Sequence, residues 1–210
     1  MSDRRPKYSH SLNDKFLLIT KPEQSGKTFI MINKINEMLA IPEYPGQPRV
    51  VNFIFCDNSL LLNMQTLERL RTEIRVDNDT NMVCVEFSSS SSVKNKYKVR
   101  ELIEDGVQNI ICCTNGTRVR DVCYIINRMN NNGTFDNGPY RYSFNLWLDE
   151  ADKYAKFIDN FFIPCTTKWS NVNCFMITAT PRNLFKKYGD IRTLPIENTT
   201  SANYNGWSDN

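Results

Sequence analysis

Four residues at positions 25–28, Ser-Gly-Lys-Thr, have types and a spacing that suit the binding of a phosphate chain. They end the stretch 21–28, which follows the apolar run 16–20 and leads into a second apolar-rich segment. A loop between a strand and a helix directs backbone N–H groups and the positive end of the helix dipole at an anion. Lys27 would then reach the β- and γ-phosphates of a nucleotide, and the Thr28 hydroxyl would ligate Mg²⁺.

A second candidate group is the sequence Asp-Glu-Ala-Asp at 149–152, which follows the apolar run 144–148. Asp149 is positioned to hold Mg²⁺, directly or through water, and Glu150 to orient or deprotonate an attacking water. An acidic pair after a strand also suits the first turn of a helix, where it would only stabilise that helix. Its occurrence in one chain with Gly-Lys-Thr favours the catalytic interpretation.

A third candidate group is Thr-Ala-Thr-Pro at 178–181, again directly after an apolar run. The hydroxyls of Thr178 and Thr180 can hydrogen-bond to neighbouring carboxylates and to the backbone. The alternative is a strand end followed by a helix, with Thr180 as the N-cap and Pro181 as the first helical residue. The two interpretations are compatible.

Composition restricts the classes of protein that need to be considered. The chain has 210 residues, of which 40% are apolar and 23% are charged, which is typical of a globular protein that buries a core. The formal net charge of +3 permits a nucleic-acid partner without requiring one. The only histidine is His10, which argues against a histidine-based zinc site or a Ser-His-Asp triad.

The seven cysteines form no Cys-x-x-Cys pair, and most lie in apolar, strand-like runs. We therefore expect small buried side chains in a reducing compartment, not a disulfide framework. No apolar run approaches the ~20 residues of a membrane span. With no signal peptide recognised, the sequence predicts a soluble intracellular protein, cytoplasmic or nuclear, that has no membrane partner.

Strand and helix patterns alternate along most of the chain. Apolar runs predict strands, and 3.6-residue periodicity predicts helices. The strands are expected at 16–20, 50–56, 82–87, 107–113, 144–148 and 174–178. The helices are expected at 28–39, 60–74, 96–104, 117–129, after the 149–152 segment through Phe161, and near Leu184. Serines 88–92 are expected in a surface loop, residues 130–142 in an irregular insertion, and residues 1–14 in a polar arm. This alternation is typical of one α/β domain with a parallel sheet, whose ligands bind at the carboxyl ends of the strands.

The order Gly-Lys-Thr, Asp-Glu-Ala-Asp, Thr-Ala-Thr resembles the first RecA-like domain of superfamily 2 helicases of the DEAD-like kind, over roughly residues 16–188. The resemblance implies a P-loop NTPase fold of three layers, a mainly parallel sheet with helices on both faces, in residues 15–195. Residues 196–210 would begin a linker toward a second RecA-like domain. The low-glycine, asparagine-rich composition is similar to that of helicases from large DNA viruses.

The resemblance also assigns roles to single residues. Gln24, Ser25, Gly26, Lys27 and Thr28 would bind ATP and Mg²⁺, Asp149 would hold the metal, and Glu150 would activate water. Thr178 and Thr180 would couple the nucleotide state to the nucleic-acid face, and Asp152 would contact that coupling segment.

Two further loops lie where this family contacts the backbone of DNA or RNA. They contain Asn58 and Ser59 after the second strand, and Thr114, Gly116 and Arg118 after the fourth. Ordinary strand-to-helix turns are the alternative for both loops.

The first half of the phosphate loop departs from the family pattern. Lys21 stands in place of the first glycine, and the Glu23 carboxylate would disfavour a nearby triphosphate unless it points away. Gln24 replaces another glycine, so a positive φ there would cost of order 1 kcal/mol. These departures predict weakened nucleotide binding.

The function that these residues predict is that of the ATP-binding domain of a nucleic-acid-dependent ATPase or helicase. About 30 residues follow Thr180, too few for a second RecA-like domain, so full activity would need that domain in cis or in trans. The alternative is a non-catalytic nucleotide- or nucleic-acid-binding module with a decayed phosphate loop. A small-molecule kinase is disfavoured by the Thr-Ala-Thr and Asp-Glu-Ala-Asp segments.

Overall fold

Six parallel strands form the centre of the molecule. The structure, a computed structural model, describes residues 12–20, 26–40, 46–56, 65, 68–70, 72–73, 84–132 and 140–194. The strands pair in the order β1-β6-β5-β2-β4-β3; they are β1 (Phe16–Thr20), β2 (Arg49–Cys56), β3 (Val85–Phe87), β4 (Asn109–Cys113), β5 (Tyr142–Leu148) and β6 (Val172–Thr178). Every adjacent pair is parallel, which confirms the predicted α/β class.

Helices cover both faces of this sheet. The α-helices are α1 (Lys27–Leu39), α2 (Lys96–Glu104), α3 (Gly116–Asn132), α4 (Ala155–Phe157), α5 (Ile163–Lys168) and α6 (Arg182–Tyr188). Successive residues of a strand point to opposite faces, so the core divides into two clusters. One cluster joins α1 to alternate strand residues such as Ile54 and Trp147, and the larger cluster joins α2 and α3 to their neighbours such as Phe53 and Leu146.

The strand order brings the three candidate groups together. β6 lies between β1 and β5, with Thr20 opposite Thr178 and Leu148 opposite Met176. Because all three strands are parallel, their carboxyl ends meet at one edge of the sheet. The strand ends at Thr20, Leu148 and Thr178 are therefore neighbours, although Thr20 and Thr178 are more than a hundred residues apart in the chain.

Most predicted elements are present, with a few changed ends. β1 and α2 have the predicted bounds. The predicted start of irregular structure at Asn130 is wrong, because α3 continues to Asn132. The amide of Asn130 exchanges hydrogen bonds of 3.2 and 2.8 Å with the amide of Asn171, and this tertiary contact extends the helix by a turn.

The segment after β5 is helical over 151–168, longer than predicted, but it is not one regular helix. A 3₁₀ turn (Ala151–Tyr154) leads into α4, and a π turn (Ile158–Phe162) leads into α5. Pro164 lies at the start of α5 and has no N–H to donate to the turn before it. The wider π turn, in which Ile163 N–H donates to the carbonyl of Ile158, accommodates that missing donor.

The outer edge of β1 is covered by the segment that follows α6. Leu18 N–H donates to the carbonyl of Arg192 at 2.8 Å, and Leu194 N–H donates to the carbonyl of Leu18 at 2.9 Å. Ile191 is buried at the start of this segment. The two hydrogen bonds pair an edge strand that would otherwise expose its backbone.

Other predictions are tested only in part. All seven cysteines are free thiols, and five of them are buried, as the apolar runs predicted. Within the described ranges, no helix has both the length and the apolar character needed to cross a membrane. The described residues between 65 and 73 are helical, in agreement with the predicted second helix. The arm up to residue 11 and the predicted linker 196–210 lie outside the described residues.

Candidate functional site

Gly26 and Lys27 begin the helix that follows β1. Gly26 has φ 84° and ψ 30°, the left-handed region that glycine enters without a Cβ penalty, and its carbonyl accepts the first helical hydrogen bond from Ile30. No side chain of the described residues caps this end of α1. The first N–H groups of α1 are therefore oriented as an anion site requires. Gln24 and Ser25 lie outside the described residues.

An ion pair joins Lys27, the first residue of α1, to Glu150, which follows the end of β5. The Lys27 Nζ lies 2.6 Å from Glu150 Oε1, and the two side chains are 12% and 26% exposed. The residues are 123 positions apart, so the contact depends entirely on the parallel order of β1, β6 and β5. It joins the two groups that the sequence singled out for phosphate binding and water activation.

Glu150 has an unusual backbone. Its φ of 51° and ψ of 44° place it in the left-handed region, and among the described residues no other non-glycine residue has a positive φ. Such a conformation costs of order 1 kcal/mol and persists only when the surroundings impose it. Asp149 N–H donates to the Phe55 carbonyl at 3.0 Å, and Glu150 N–H donates to Asp149 Oδ1 at 3.0 Å. These bonds turn the chain so that Glu150 reaches Lys27.

Asp152 connects the second candidate group to the third. Its two carboxylate oxygens accept hydrogen bonds from the hydroxyls of Thr178 and Thr180, the latter at 2.9 Å. Thr180 N–H donates to the Thr178 hydroxyl at 3.0 Å. The three side chains therefore form one hydrogen-bonded unit across the ends of β5 and β6.

The helix-terminus alternative is borne out in part: Asp152 lies in the first turn of the 3₁₀ helix, but the N-cap residue Glu150 makes no side-chain cap. Thr180 donates to Asp152, while the residue at the N-cap position of α6 is Pro181, with no side-chain cap. Asp149 Oδ1 accepts the adjacent Glu150 N–H. The acidic and hydroxyl groups at this edge thus contact one another.

The residues expected to hold Mg²⁺ are Thr28, in the first turn of α1, and Asp149, directly after β5, and both are half-buried. Among the described residues no group of three or more His, Cys, Asp or Glu side chains is arranged to hold a metal ion. A hydroxyl and a single carboxylate fit Mg²⁺, which binds through one or two carboxylates and completes its shell with water and substrate phosphates. The donor types present therefore suit a magnesium-nucleotide and not a protein-only metal site.

The loop after β4 is occupied by contacts within the fold. Thr114 is buried, and its hydroxyl donates to the Cys56 carbonyl at 2.6 Å, which ties the ends of β4 and β2 together. Gly116 begins α3, where an added Cβ would come within 3.8 Å of the Phe157 ring. Asn115 Oδ1 accepts the Arg118 N–H at 3.0 Å, a contact that sequence reasoning missed. The available signal was an asparagine just before the predicted helix, where it can cap the first N–H groups.

Arg118 is only 9% exposed. Its guanidinium donates to the Lys94 carbonyl at 3.0 Å, lies 3.3 Å from the Asp121 carboxylate and 4.3 Å from the centre of the Phe87 ring. These contacts hold the start of α2 to α3, and they explain the burial of Arg118 without any bound ligand. The nucleic-acid contact of Arg118 stays a prediction. Asn58 and Ser59 lie outside the described residues, and their contacts also stay predictions.

No protein-family model matches the chain, and no curated protein matches it either. The contacts of the carboxyl edge are therefore the ground on which a function is assigned.

Proposed function

We propose that this chain is the ATP-binding, RecA-like P-loop domain of a nucleic-acid-dependent ATPase or helicase. The observation that carries the proposal is the ion pair between Lys27 and Glu150 at an edge where β6 separates β1 from β5. A lysine at the start of a helix, behind a glycine with positive φ, is suited to a triphosphate. A glutamate within contact of that lysine is suited to water activation.

The Lys27 ammonium group could pair with either of two negatively charged partners, the Glu150 carboxylate or a bound triphosphate. In the structure its ammonium group contacts the Glu150 carboxylate. A bound triphosphate would present several negative oxygens at the amino end of α1, so the ammonium group would turn toward them. Glu150 would then be released from the ion pair and its carboxylate could accept a proton from water.

Glu150 is the candidate general base. Its left-handed backbone holds the carboxylate at the edge of the sheet, and it stays partly exposed, so water can reach it. The proton would move from the attacking water to a Glu150 oxygen, while Lys27 would stabilise charge on the transferring phosphoryl group. Thr28 and Asp149 would hold Mg²⁺, which supplies further charge neutralisation at the phosphates when it is bound.

Asp152, Thr178 and Thr180 are positioned to transmit the state of this site. They link the segment that contains Glu150 to the end of β6 by two hydroxyl-to-carboxylate hydrogen bonds. A shift of Glu150 on nucleotide binding would therefore displace the segment after β6. The resemblance to helicases makes that segment the connection to bound DNA or RNA and to a second RecA-like domain.

Nucleotide binding by the full chain is the first test. Fluorescence titration with a labelled ATP analogue and Mg²⁺ should give saturable binding that Lys27→Ala weakens at least about tenfold, since a charged hydrogen bond contributes roughly 1.5–3 kcal/mol. The matched control is Lys34→Ala, which removes a similar pair, Lys34 with Glu37 at 2.7 Å, from the solvent side of the same helix. The control should bind as the unmodified chain does.

Two results would contradict this assignment in different ways. Equal binding by the Lys27→Ala and unmodified chains, with both folded by circular dichroism, would show that the nucleotide lies elsewhere. No binding at all by the unmodified chain would favour the non-catalytic module, with the loop impaired at Lys21, Glu23 and Gln24. Phosphate release from ATP that requires added DNA or RNA would support a helicase-type ATPase over a small-molecule kinase.

A further inference from the structure

A cluster of aromatic and basic side chains lies on the solvent side of α2 and α3. It consists of Lys96, Tyr97, Tyr124 and Arg128, which we call the tyrosine patch. Tyr97 is 54% exposed, more than the other exposed large apolar side chains of the described residues, Phe29 and Phe185, at 36% each. An aromatic ring left this exposed adds little to the core, so its position requires another explanation.

The two rings and the two cations hold one another in place. The ring centres of Tyr97 and Tyr124 are 6.3 Å apart at an interplanar angle of 84°, an edge-to-face pair. Lys96 Nζ lies 4.3 Å from the centre of the Tyr124 ring and 5.8 Å from that of Tyr97. Arg128 Nε donates to the Tyr124 hydroxyl at 3.1 Å, and the guanidinium lies 5.4 Å from the ring centre.

The backbone beneath Tyr97 is also fixed. The side chain of Asn95 accepts the N–H groups of Tyr97 and Lys98 at 2.9 and 3.0 Å, which caps α2 and sets the direction of its first turn. The exposed ring is thus preorganised, and preorganisation lowers the entropy lost when a ligand binds.

Basic side chains outnumber acidic ones in the segment that carries the patch, and Lys96 is itself paired with Asp121, its Nζ lying 3.4 Å from Oδ1. The hydrogen bond from Arg128 lowers the pKa of the Tyr124 hydroxyl, which burial alone would raise, and the charge of Lys96 acts in the same direction as Arg128. Residues 94–132 contain seven basic and four acidic side chains, an excess equal to the net charge of +3 of the whole chain. Two of the acidic side chains, Glu101 and Glu104, are paired with Lys98 and Arg100 on α2.

We propose that the tyrosine patch binds single-stranded nucleic acid, with a base stacked on Tyr97 and the phosphate backbone beside Lys96 and Arg128. The proposal deepens the proposed function and rests on it for the class of partner. A single strand is favoured over a duplex because only unpaired bases offer a free face to an aromatic ring. It is favoured over an acidic peptide because the patch presents an exposed aromatic ring in addition to its charges.

Fluorescence anisotropy of the full chain with labelled oligothymidylate and oligouridylate tests the proposal. Tyr97→Leu, which keeps apolar bulk without an aromatic face, should weaken binding at least about fivefold, and Tyr97→Phe should bind nearly as the unmodified chain does. The matched control is Phe185→Leu, at an exposed aromatic residue of α6, which should leave binding unchanged. Arg128→Gln should reduce the slope of log affinity against log salt by about 0.7, as expected for one lost phosphate contact.

Several outcomes would overturn the proposal. These are equal binding by Tyr97→Leu and the unmodified chain, equal binding of a duplex of the same length, and binding of polyglutamate with the same dependence on Tyr97. Urea unfolding of each variant excludes a loss of fold as the cause. Mg-ATP binding is measured on the same samples without oligonucleotide. If Mg-ATP binds and Tyr97→Leu leaves oligonucleotide affinity unchanged, the patch alone is refuted. If Tyr97→Leu weakens oligonucleotide binding but Mg-ATP does not bind, the ATPase assignment alone is refuted.

Discussion

Two groups of polar side chains, one within the sheet and one at its carboxyl edge, differ in charge and in solvent exposure. One is a row of asparagines inside the sheet, which we call the asparagine ladder: Asn109, Asn52, Asn145 and Asn173 on the adjacent strands β4, β2, β5 and β6. The other is the carboxyl-edge site formed by Lys27, Glu150, Asp152, Thr178 and Thr180. The first group is neutral, while the second contains an ion pair and a carboxylate.

Three members of the asparagine ladder, Asn52, Asn109 and Asn145, are buried, and the ladder residues hydrogen-bond to one another. Asn52 Nδ2 donates to Asn109 at 2.9 Å, and Asn145 Nδ2 donates to Asn52 at 3.2 Å. Trp147 Nε1 also donates to Asn52 Oδ1, at 3.0 Å, and Asn52 is fully buried. Each ladder residue faces its partner in the strand register, so a shift of one residue would separate the amides.

The carboxyl-edge site has the opposite character: it is charged and partly exposed, and the proposed function requires its partners to be exchanged. Glu150 stays 26% exposed, and an ammonium group can transfer from a carboxylate to a phosphate at little electrostatic cost. We infer that the two groups have different roles. The neutral amides of the asparagine ladder fix the strand register, and the charged groups of the carboxyl-edge site would act on a ligand in the proposed function. Each prediction below tests one side of this difference.

The largest expected effect is on turnover, from Glu150→Gln. The amide keeps the size of the side chain and can still accept from Lys27, but it cannot take a proton, so phosphate release should fall about 100-fold while ATP binding is retained. Single-turnover phosphate release measures the effect, with Glu37→Gln on the solvent side of α1 as the control. A Glu150→Gln chain that turns over at the original rate would remove Glu150 as the base.

The next effect is on stability, from Asn52→Ala. The substitution leaves the Trp147 N–H and two amides without their partner, and each unsatisfied buried group costs about 1–3 kcal/mol, so the free energy of unfolding should fall by about 2–4 kcal/mol. Urea titration measures the change. Asn173→Ala, at the half-buried end of the ladder with its one hydrogen bond of 3.3 Å to Asn145, should cost about 1 kcal/mol or less. Equal losses for the two variants would contradict the ladder as a closed unit.

A smaller effect separates the two hydroxyls that contact Asp152. Thr178 is buried and Thr180 is exposed, so Thr178→Val should lower the free energy of unfolding by about 1–2 kcal/mol and Thr180→Val by under about 0.5 kcal/mol. If the unit transmits the nucleotide state, either change should reduce the stimulation of ATP turnover by nucleic acid more than the basal rate. Stimulation that survives in both variants would leave the unit with a structural role only.

The smallest effect concerns a buried neutral group that can titrate. The Tyr188 hydroxyl donates to Asp159 at 2.9 Å and to the Ala155 carbonyl at 3.1 Å, and burial, with the Asp159 contact, raises the pKa of Tyr188 above its ordinary value. The folded chain therefore keeps this proton when the unfolded chain loses it. The stabilising contribution is complete below about pH 10 and decreases as the pH rises beyond that value. Urea midpoints between neutral and alkaline pH should fall less steeply for Tyr188→Phe than for the unmodified chain.

The elements of the fold could be predicted because they depend on local patterns. The apolar run at 16–20 and the capped periodic segment at 96–104 gave their bounds without tertiary information. The strand order could not be predicted, since it depends on which strands pair across long stretches of chain. The extension of α3 was missed for the same reason, because its cause is the contact between Asn130 and Asn171.

The candidate site was predictable in its members and not in its conformation. Motif spacing identified Lys27, Glu150 and Asp152, but no local preference indicated that a glutamate would adopt the left-handed region. The asparagine ladder was also missed, because a single asparagine in an apolar run reads as an interruption of a strand. Its meaning appears only when the register aligns Asn52 with Asn109 and Asn145.

The covered edge of β1 has a mechanical consequence. The chain passes from α6 along the outer side of β1, held by the hydrogen bonds of Leu18 to Arg192 and Leu194. The strand on the other side of β1 is β6, which ends in Thr178. A force applied to the chain beyond Leu194 would therefore act first on β1, and through the pairing of β1 with β6 it would reach the strand end that carries Thr178.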